Sequence, residues 1–326
     1  MKATNTLAAF LLIVVGCATT ENIADTTVLQ QVSKLPSLTG KTDYLTSPFV
    51  TAGNRVYIIG HQDGSFPALG WHIDGEMGGV WNHPIKLLDG FTATLQIQNS
   101  DELWCLTHAD NFINFPIANS HHFTWAQHQV EVDRTQFIPD DTEGAVVEYL
   151  ISNRGKEKKE LQFSFTGVTD LRPTWLGERT NMTDAADEIA YDKSLGVVIG
   201  KDKNNPWYAL FGSSLTGTFT TSLQACEEPI RNGTGARGTL TFAITLKPNE
   251  AVAIPIYIAG SYQSETALRE TYTTLKSNYH KKLAEKINRY EAITKTSQLT
   301  IPDKNIEIMY EWLKYNTDWL VRAVPE

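Results

Sequence analysis

The stretch that decides the fold reads Ala145-Val146-Val147-Glu148-Tyr149-Leu150-Ile151, turns at Asn153-Arg154-Gly155-Lys156, and resumes as Leu161-Gln162-Phe163-Ser164-Phe165. β-branched and aromatic residues fill both runs, and the Asn and Gly between them are turn formers, so the pattern predicts two strands joined at a solvated Glu/Lys hairpin end. Outward from it the same signature recurs at Arg55-Val56-Tyr57-Ile58-Ile59 and Phe91-Thr92-Ala93-Thr94-Leu95-Gln96-Ile97, and later at 195–199, 207–211, 238–246 and 251–258. So many short strands without intervening helices predict a mainly β domain of two packed antiparallel sheets.

The character changes at Ser264. Leu268, Tyr272, Leu275, Tyr279, Leu283, Ile287, Tyr290 and Ile293 recur at intervals of three or four and form one stripe of a helix. A second helix is expected after Pro302, with Asp303 as its N-cap and Ile306, Met309, Tyr310, Leu313 and Leu320 as its apolar line. Trp312 and Trp319 add a second line, which predicts exposed tryptophan and self-association.

The chain has 326 residues, 41% of them hydrophobic, and a net charge of −9. That length affords a sizeable core, and the acidic balance argues against a nucleic-acid partner, which needs a cationic surface. Lys2 followed by an apolar run from Leu7 to Val15 is too short to span a bilayer and reads as a signal peptide over residues 1–16. Val14-Val15-Gly16-Cys17 resembles a bacterial lipobox, which implies lipid on Cys17, a tether over 17–34 and a place in the bacterial cell envelope. A generic secretory signal with an incidental cysteine is the alternative. Cys105 and Cys226 then remain, either as one disulfide or as two buried thiols, and neither lies in a zinc-binding pattern.

A resemblance rests on Gly70-Trp71-His72-Ile73-Asp74-Gly75-Glu76-Met77-Gly78-Gly79-Val80-Trp81-Asn82-His83-Pro84, which continues to Phe91. Further pieces are Trp175-Leu176-Gly177-Glu178-Arg179-Thr180-Asn181-Met182, the segment 201–207, and Trp312-Leu313-Lys314-Tyr315-Asn316 at the end. These segments resemble the N-terminal part of bacterial glycogen-debranching-like (amylo-α-1,6-glucosidase-like) glycoside hydrolases. The resemblance implies a mutarotase-like β-supersandwich over 35–262, a linker helix over 263–298, and over 299–326 the first helix of an α/α six-hairpin barrel. Such a barrel takes on the order of 200 residues at ~12 per helix plus loops. Only 24 residues follow Pro302, so the expectation is a chain without the barrel that carries the catalytic carboxylates.

The expected substrate-binding residues are Trp71, Asp74, Glu76, Trp81, His83, Lys86, Arg179 and Trp207. Flat aromatic rings stack on pyranose faces while carboxylate, imidazole and ammonium groups bond the hydroxyls, with Trp81 as the platform and His83, Glu76 and Lys86 as its partners. Each has a plainer reading, as a core tryptophan or a turn carboxylate. Asp184, Asp187 and Glu188 serve equally well as helix-start or ion-pairing acids, and Trp104 reads as core. His72, His108, His121, His122 and His128 fit no short metal motif, and no phosphate loop occurs, so neither a metal nor a cofactor is expected. The expected partners are an α-glucan or other oligosaccharide, the membrane through Cys17, and the barrel. Two other classes stay open: a freestanding carbohydrate-binding lipoprotein, and a mutarotase-like epimerase using His83 or His108 with a glutamate.

Overall fold

The computed structural model describes residues 26–70, 74–174, 181–222, 226 and 233–324. It is a β-supersandwich followed by two helices. One sheet has nine strands in the order Leu38–Thr39, Asn111–Asn114, Ala118–Trp125, Val130–Phe137, Gly144–Asn153, Ala251–Ser261, Tyr208–Ser213, Val197–Asp202, Asp187–Asp192. The other runs Thr218–Thr220, Arg237–Leu246, Lys159–Thr169, Ile85–Ile97, Gly79–Asn82, Val56–His61, Pro48–Ala52, with Leu103–Cys105 as an eighth strand on Ile85–Ile97. All these pairings are antiparallel.

The deciding stretch forms its two strands but not a hairpin. Gly144–Asn153 pairs with Val130–Phe137 and Ala251–Ser261, whereas Lys159–Thr169 pairs with Ile85–Ile97 and Arg237–Leu246 in the opposite sheet. The turn is an arch from one sheet to the other. Asn153 holds it, its Nδ2 donating to the carbonyls of Glu157, Leu246 and Lys247 at 2.8–3.2 Å. Two nearly continuous apolar runs cannot both satisfy their faces by lying side by side, and stacking face to face buries them against each other.

Val147, Tyr149, Ile151, Phe163 and Phe165 fill the space between the sheets with Phe91, Phe211 and Ile256. A second core lies on the outer face of the nine-stranded sheet. There Val146, Leu210 and Tyr257 receive the helix Glu265–Lys295 through Leu268, Tyr272, Leu275, Leu283 and Tyr290. Ser264 caps that helix, its hydroxyl accepting from the amide of Ala267. Lys286, buried on the same stripe, donates to the carbonyls of Ala52 and Ile138, each at 2.6 Å, and so clamps the helix to the strand ends.

Two expectations are corrected here. Residues 26–34, counted within a flexible tether, contain a helix, Val28–Val32, whose two valines are fully buried; the Glu148 carboxylate accepts from the amide of Val28 at 2.7 Å. The second helix, Lys304–Trp319, starts at Asp303, which caps the amides of Asn305 and Ile306. Its tryptophans point inward: Trp312 is buried in the second core, and Trp319 donates from Nε1 to the carbonyl of Pro116 at 2.8 Å. Ile306, Met309, Leu313 and Leu320 lie outward instead, the last three 65%, 59% and 80% exposed.

Cys105 and Cys226 are joined in a disulfide, their Cα atoms 5.8 Å apart. Among the described residues no helix is long and apolar enough to cross a membrane. The signal peptide and Cys17 lie outside the described residues.

Candidate functional site

Strand alternation places the distinctive side chains on the face of the eight-stranded sheet that points away from the other sheet. Tyr57 pairs with Trp81 and Trp81 with Lys86, so the three stand in one cross-strand row. Tyr57 and Trp81 stack at 6.4 Å with an interplanar angle of 11°. A cation closes each end: Lys86 Nζ lies 5.5 Å from the Trp81 ring and the Arg322 guanidinium 4.7 Å from that of Tyr57. Gly79 permits the irregular pairing beside this row, since at φ +95° a Cβ there would stand 2.2 Å from the Leu88 carbonyl oxygen.

Beyond Trp81, Lys86 gathers carboxylates from three separate segments. Its Nζ donates to Glu76 Oε2 at 2.8 Å and Asp89 Oδ1 at 2.6 Å and lies 3.8 Å from Asp170 Oδ2. Arg172 adds a second cation, 3.7 Å from Glu76 Oε1 and 4.0 Å from Asp170 Oδ2. Lys86 and the three acids are each at most 2% exposed at the side chain.

Burial alone would push Glu76 up, but Lys86 and Arg172 hold its carboxyl below the usual range. Asp170 has the weakest compensation: burial and the neighbouring Asp89 raise it to about 8, so it is neutral at pH 7. Burial would neutralise Lys86, yet Asp89, Asp170 and Glu76 hold its ammonium above the ordinary value. Three acids, two cations and one retained proton therefore balance.

One carboxylate oxygen from each of Glu76, Asp89 and Asp170 lies within 4.8 Å of the other two, a spacing that could enclose a metal ion. The Lys86 ammonium occupies the centre instead, bonded to two of the acids, and supplies the charge a cation would bring. A glycosidase sets two carboxyls about 5–9.5 Å apart across open space that admits the scissile bond. These acids converge on a buried lysine. Their chemistry is to lock the segments carrying Glu76, Lys86 and Asp170 together.

The structure redistributes the expected binding residues. Trp81 and Trp207 are 3% and 4% exposed, so neither ring offers an open stacking face. Trp81 Nε1 donates to the carbonyls of Met77 and Gly78. Glu76 and Lys86 are buried with each other rather than facing solvent. His83 is half-buried, its Nε2 2.7 Å from the Tyr57 hydroxyl. Burial, then Arg322 and Arg55, hold its imidazole below the usual value. Those charged neighbours are cations. Asp74 is exposed. Trp71 and Arg179 lie outside the described residues. Trp104 is partly buried and stacks on Trp125 at 5.3 Å.

Sequence reading missed Tyr57, Asp170 and Arg172. Thr169-Asp170-Leu171-Arg172-Pro173 does carry a signal, two opposite charges where an apolar strand ends before a proline. Asp187, among the acids left undecided, accepts from the Leu171 amide at 3.0 Å and so positions that segment.

No model of a known protein family matches this chain, and no curated protein does. Among solved structures it is similar to one described as a kojibiose phosphorylase from the human microbiome. The TM-score is 0.57 at 10% identity, over 87% of this chain and 41% of that one. A bacterial glucoamylase solved with acarbose matches at TM-score 0.40 and 10% identity, over 77% of this chain and 36% of that one. A protein from Escherichia coli K12 described as an aldose 1-epimerase matches at TM-score 0.41 and 7% identity, over 66% of this chain and 99% of that one. At these identities the likeness is one of fold. The chain spans less than half the length of the phosphorylase and glucoamylase structures.

Proposed function

We propose that this chain is the non-catalytic β-supersandwich module of a glycoside hydrolase acting on α-glucans, of the glycogen-debranching-like kind, and that it works against a helical catalytic domain. The observation that carries the reading is the helix Lys304–Trp319. One side is fixed to the sandwich through Trp312, Tyr315 and Trp319, while Ile306, Met309, Leu313 and Leu320 form an apolar line on the other. A helix built to pack on two sides fits the edge of a helical domain. The buried acids agree with a non-catalytic role, since Lys86 holds them where a glycosidic bond has no room. The fold shared with part of a longer phosphorylase chain supports a module rather than a complete enzyme.

The test is turnover. Incubated with maltooligosaccharides, with and without phosphate, the chain alone is expected to release neither glucose nor glucose 1-phosphate; robust release of either would overturn the reading. Attachment to the cell envelope through lipid on Cys17 belongs to the same proposal. Labelled fatty acid should enter the wild type and not Cys17→Ser, and equal labelling of the two would refute it.

A further inference from the structure

A second polar site lies between the sheets, away from the Lys86 cluster. His121, Arg134 and Tyr149 stand in register on three adjacent strands, His121 opposite Arg134 and Arg134 opposite Tyr149. They share the inner face with Val130 and Val132, and each is at most 1% exposed. The Arg134 guanidinium lies 5.4 Å from the Phe91 ring centroid, and Phe49 and Phe112 meet His121 edge-on at 5.1 and 5.0 Å. Loop 61–65 closes over the charge: Gly64, at φ +94°, would place a Cβ 3.3 Å from both Nη1 and Nη2.

Charge and hydrogen bonding are both left open at this row. Nη1 donates to the Gly64 carbonyl at 3.0 Å, while Nε and Nη2 are buried without a partner among the described residues. The Tyr149 hydroxyl lies beside the Arg134 guanidinium and the His121 ring nitrogens face the backbone of His61 and Arg134, but none of these approaches closes a well-formed hydrogen bond, and all three atoms are buried. Arg134 forms no ion pair with a described acid. Asp63 acts on it only through space and commits Oδ1 to the amide and hydroxyl of Ser65. Burial and Arg134 hold His121 neutral, and burial keeps Tyr149 protonated, so the row carries a single positive charge. An unpaired ion is among the costliest groups to bury, and the groups around this one are able to donate.

We infer that a small monovalent anion of chloride size is bound between the sheets, on Nε and Nη2 of Arg134 and the hydroxyl of Tyr149, with His121 beside it. The hydroxyl supplies a neutral donor and the guanidinium supplies the charge. The aromatic rings of Phe49, Phe91 and Phe112 give the site an apolar wall that excludes larger, strongly hydrated oxyanions.

Thermal unfolding of the full chain at fixed ionic strength tests this, with chloride or bromide replacing gluconate. A halide that binds only the folded state raises the midpoint saturably. General salt effects favour the better-excluded anion, so stabilisation by halide over gluconate is the opposite of a nonspecific response. The midpoint should rise by a few degrees with halide, and Arg134→Met should abolish the dependence. Tyr149→Phe, which keeps the ring, should shift half-saturation several-fold upward, and it preserves the test if Arg134→Met does not fold. A crystal soaked in bromide should show an anomalous peak beside Nη2. Equal midpoints in chloride and gluconate, an unchanged halide response in Arg134→Met, or ordered water without a bromide peak would each overturn the site.

Discussion

Lys86 and Glu76 meet at 2.8 Å with both side chains 2% exposed, although one lies on a strand and the other in the segment before Gly79. Glu76 was an expected sugar contact and so was Lys86; each has the other as its partner instead. Their pairing fixes the segment beneath which Trp81 lies, since the carbonyls that Trp81 bonds belong to Met77 and Gly78.

Removing the lysine should therefore do more harm than removing one acid. Lys86→Met leaves Glu76, Asp89 and Asp170 buried without their common cation, and breaking a buried pair this way costs about 3–5 kcal/mol. Glu76→Gln keeps a hydrogen-bonding side chain and should cost less. Urea unfolding of the two variants measures the difference, and a Lys86→Met protein as stable as wild type would show the cluster to be dispensable.

The retained proton predicts a pH dependence with a definite sign. Asp170 is raised from the ordinary carboxyl value of 3.8 to about 8, chiefly by burial and then by Asp89, and Asp187 to about 7, chiefly by burial. The folded state thus binds protons that the unfolded chain has released. Their contribution is complete below the unfolded value near 4 and is lost as pH rises through 7 and 8. Asp170→Asn, a neutral mimic, should gain stability relative to wild type steadily from pH 5 to pH 8. A constant difference between the two over that range would show Asp170 to be ionised in the fold.

Two adjacent residues on the C-terminal helix should respond in opposite ways. Trp312→Ala empties a site in the second core and should cost about 3–5 kcal/mol in unfolding experiments. Leu313→Glu, at a position 59% exposed, should leave stability within about 0.5 kcal/mol and reduce any concentration-dependent self-association seen by sedimentation. Greater destabilisation by Leu313→Glu than by Trp312→Ala would reverse the assignment of the two faces.

The disulfide joins residues 121 apart in sequence, which on chain-entropy grounds is worth about 4–5 kcal/mol through restriction of the unfolded chain. Cys105→Ser should lower the denaturation midpoint accordingly, and adding reductant should shift the wild type but not the variant. Insensitivity of the wild type to complete reduction would refute that role.

The acids and cations of the Lys86 cluster were only partly legible beforehand. Glu76 and Lys86 stood out because they flank a Gly/Trp-rich segment, but nothing local distinguishes a carboxylate that bonds a sugar from one that bonds a distant lysine. Asp170 and Arg172 come from the segment just after the strand Lys159–Thr169, which pairs beside that of Lys86, and this adjacency is set by sheet register. The tryptophans misled for a similar reason. Trp81 has glycines and polar neighbours on both sides, which suggests exposure, yet its burial comes from Tyr57, Lys86 and the segment ending at Gly78.

By itself the sequence determined the strand runs named at the outset, the two helices with caps at Ser264 and Asp303, and the sandwich class, because periodicity and capping are local properties of consecutive residues. Only the tertiary structure decided that the turn at Asn153 crosses between sheets, that Trp312 and Trp319 face inward, and that Cys105 meets Cys226. It also decided that Arg134 is enclosed between His121 and Tyr149. Each of these depends on which segments become neighbours, and that is settled by burial of whole faces, to which every residue contributes and which no single motif encodes.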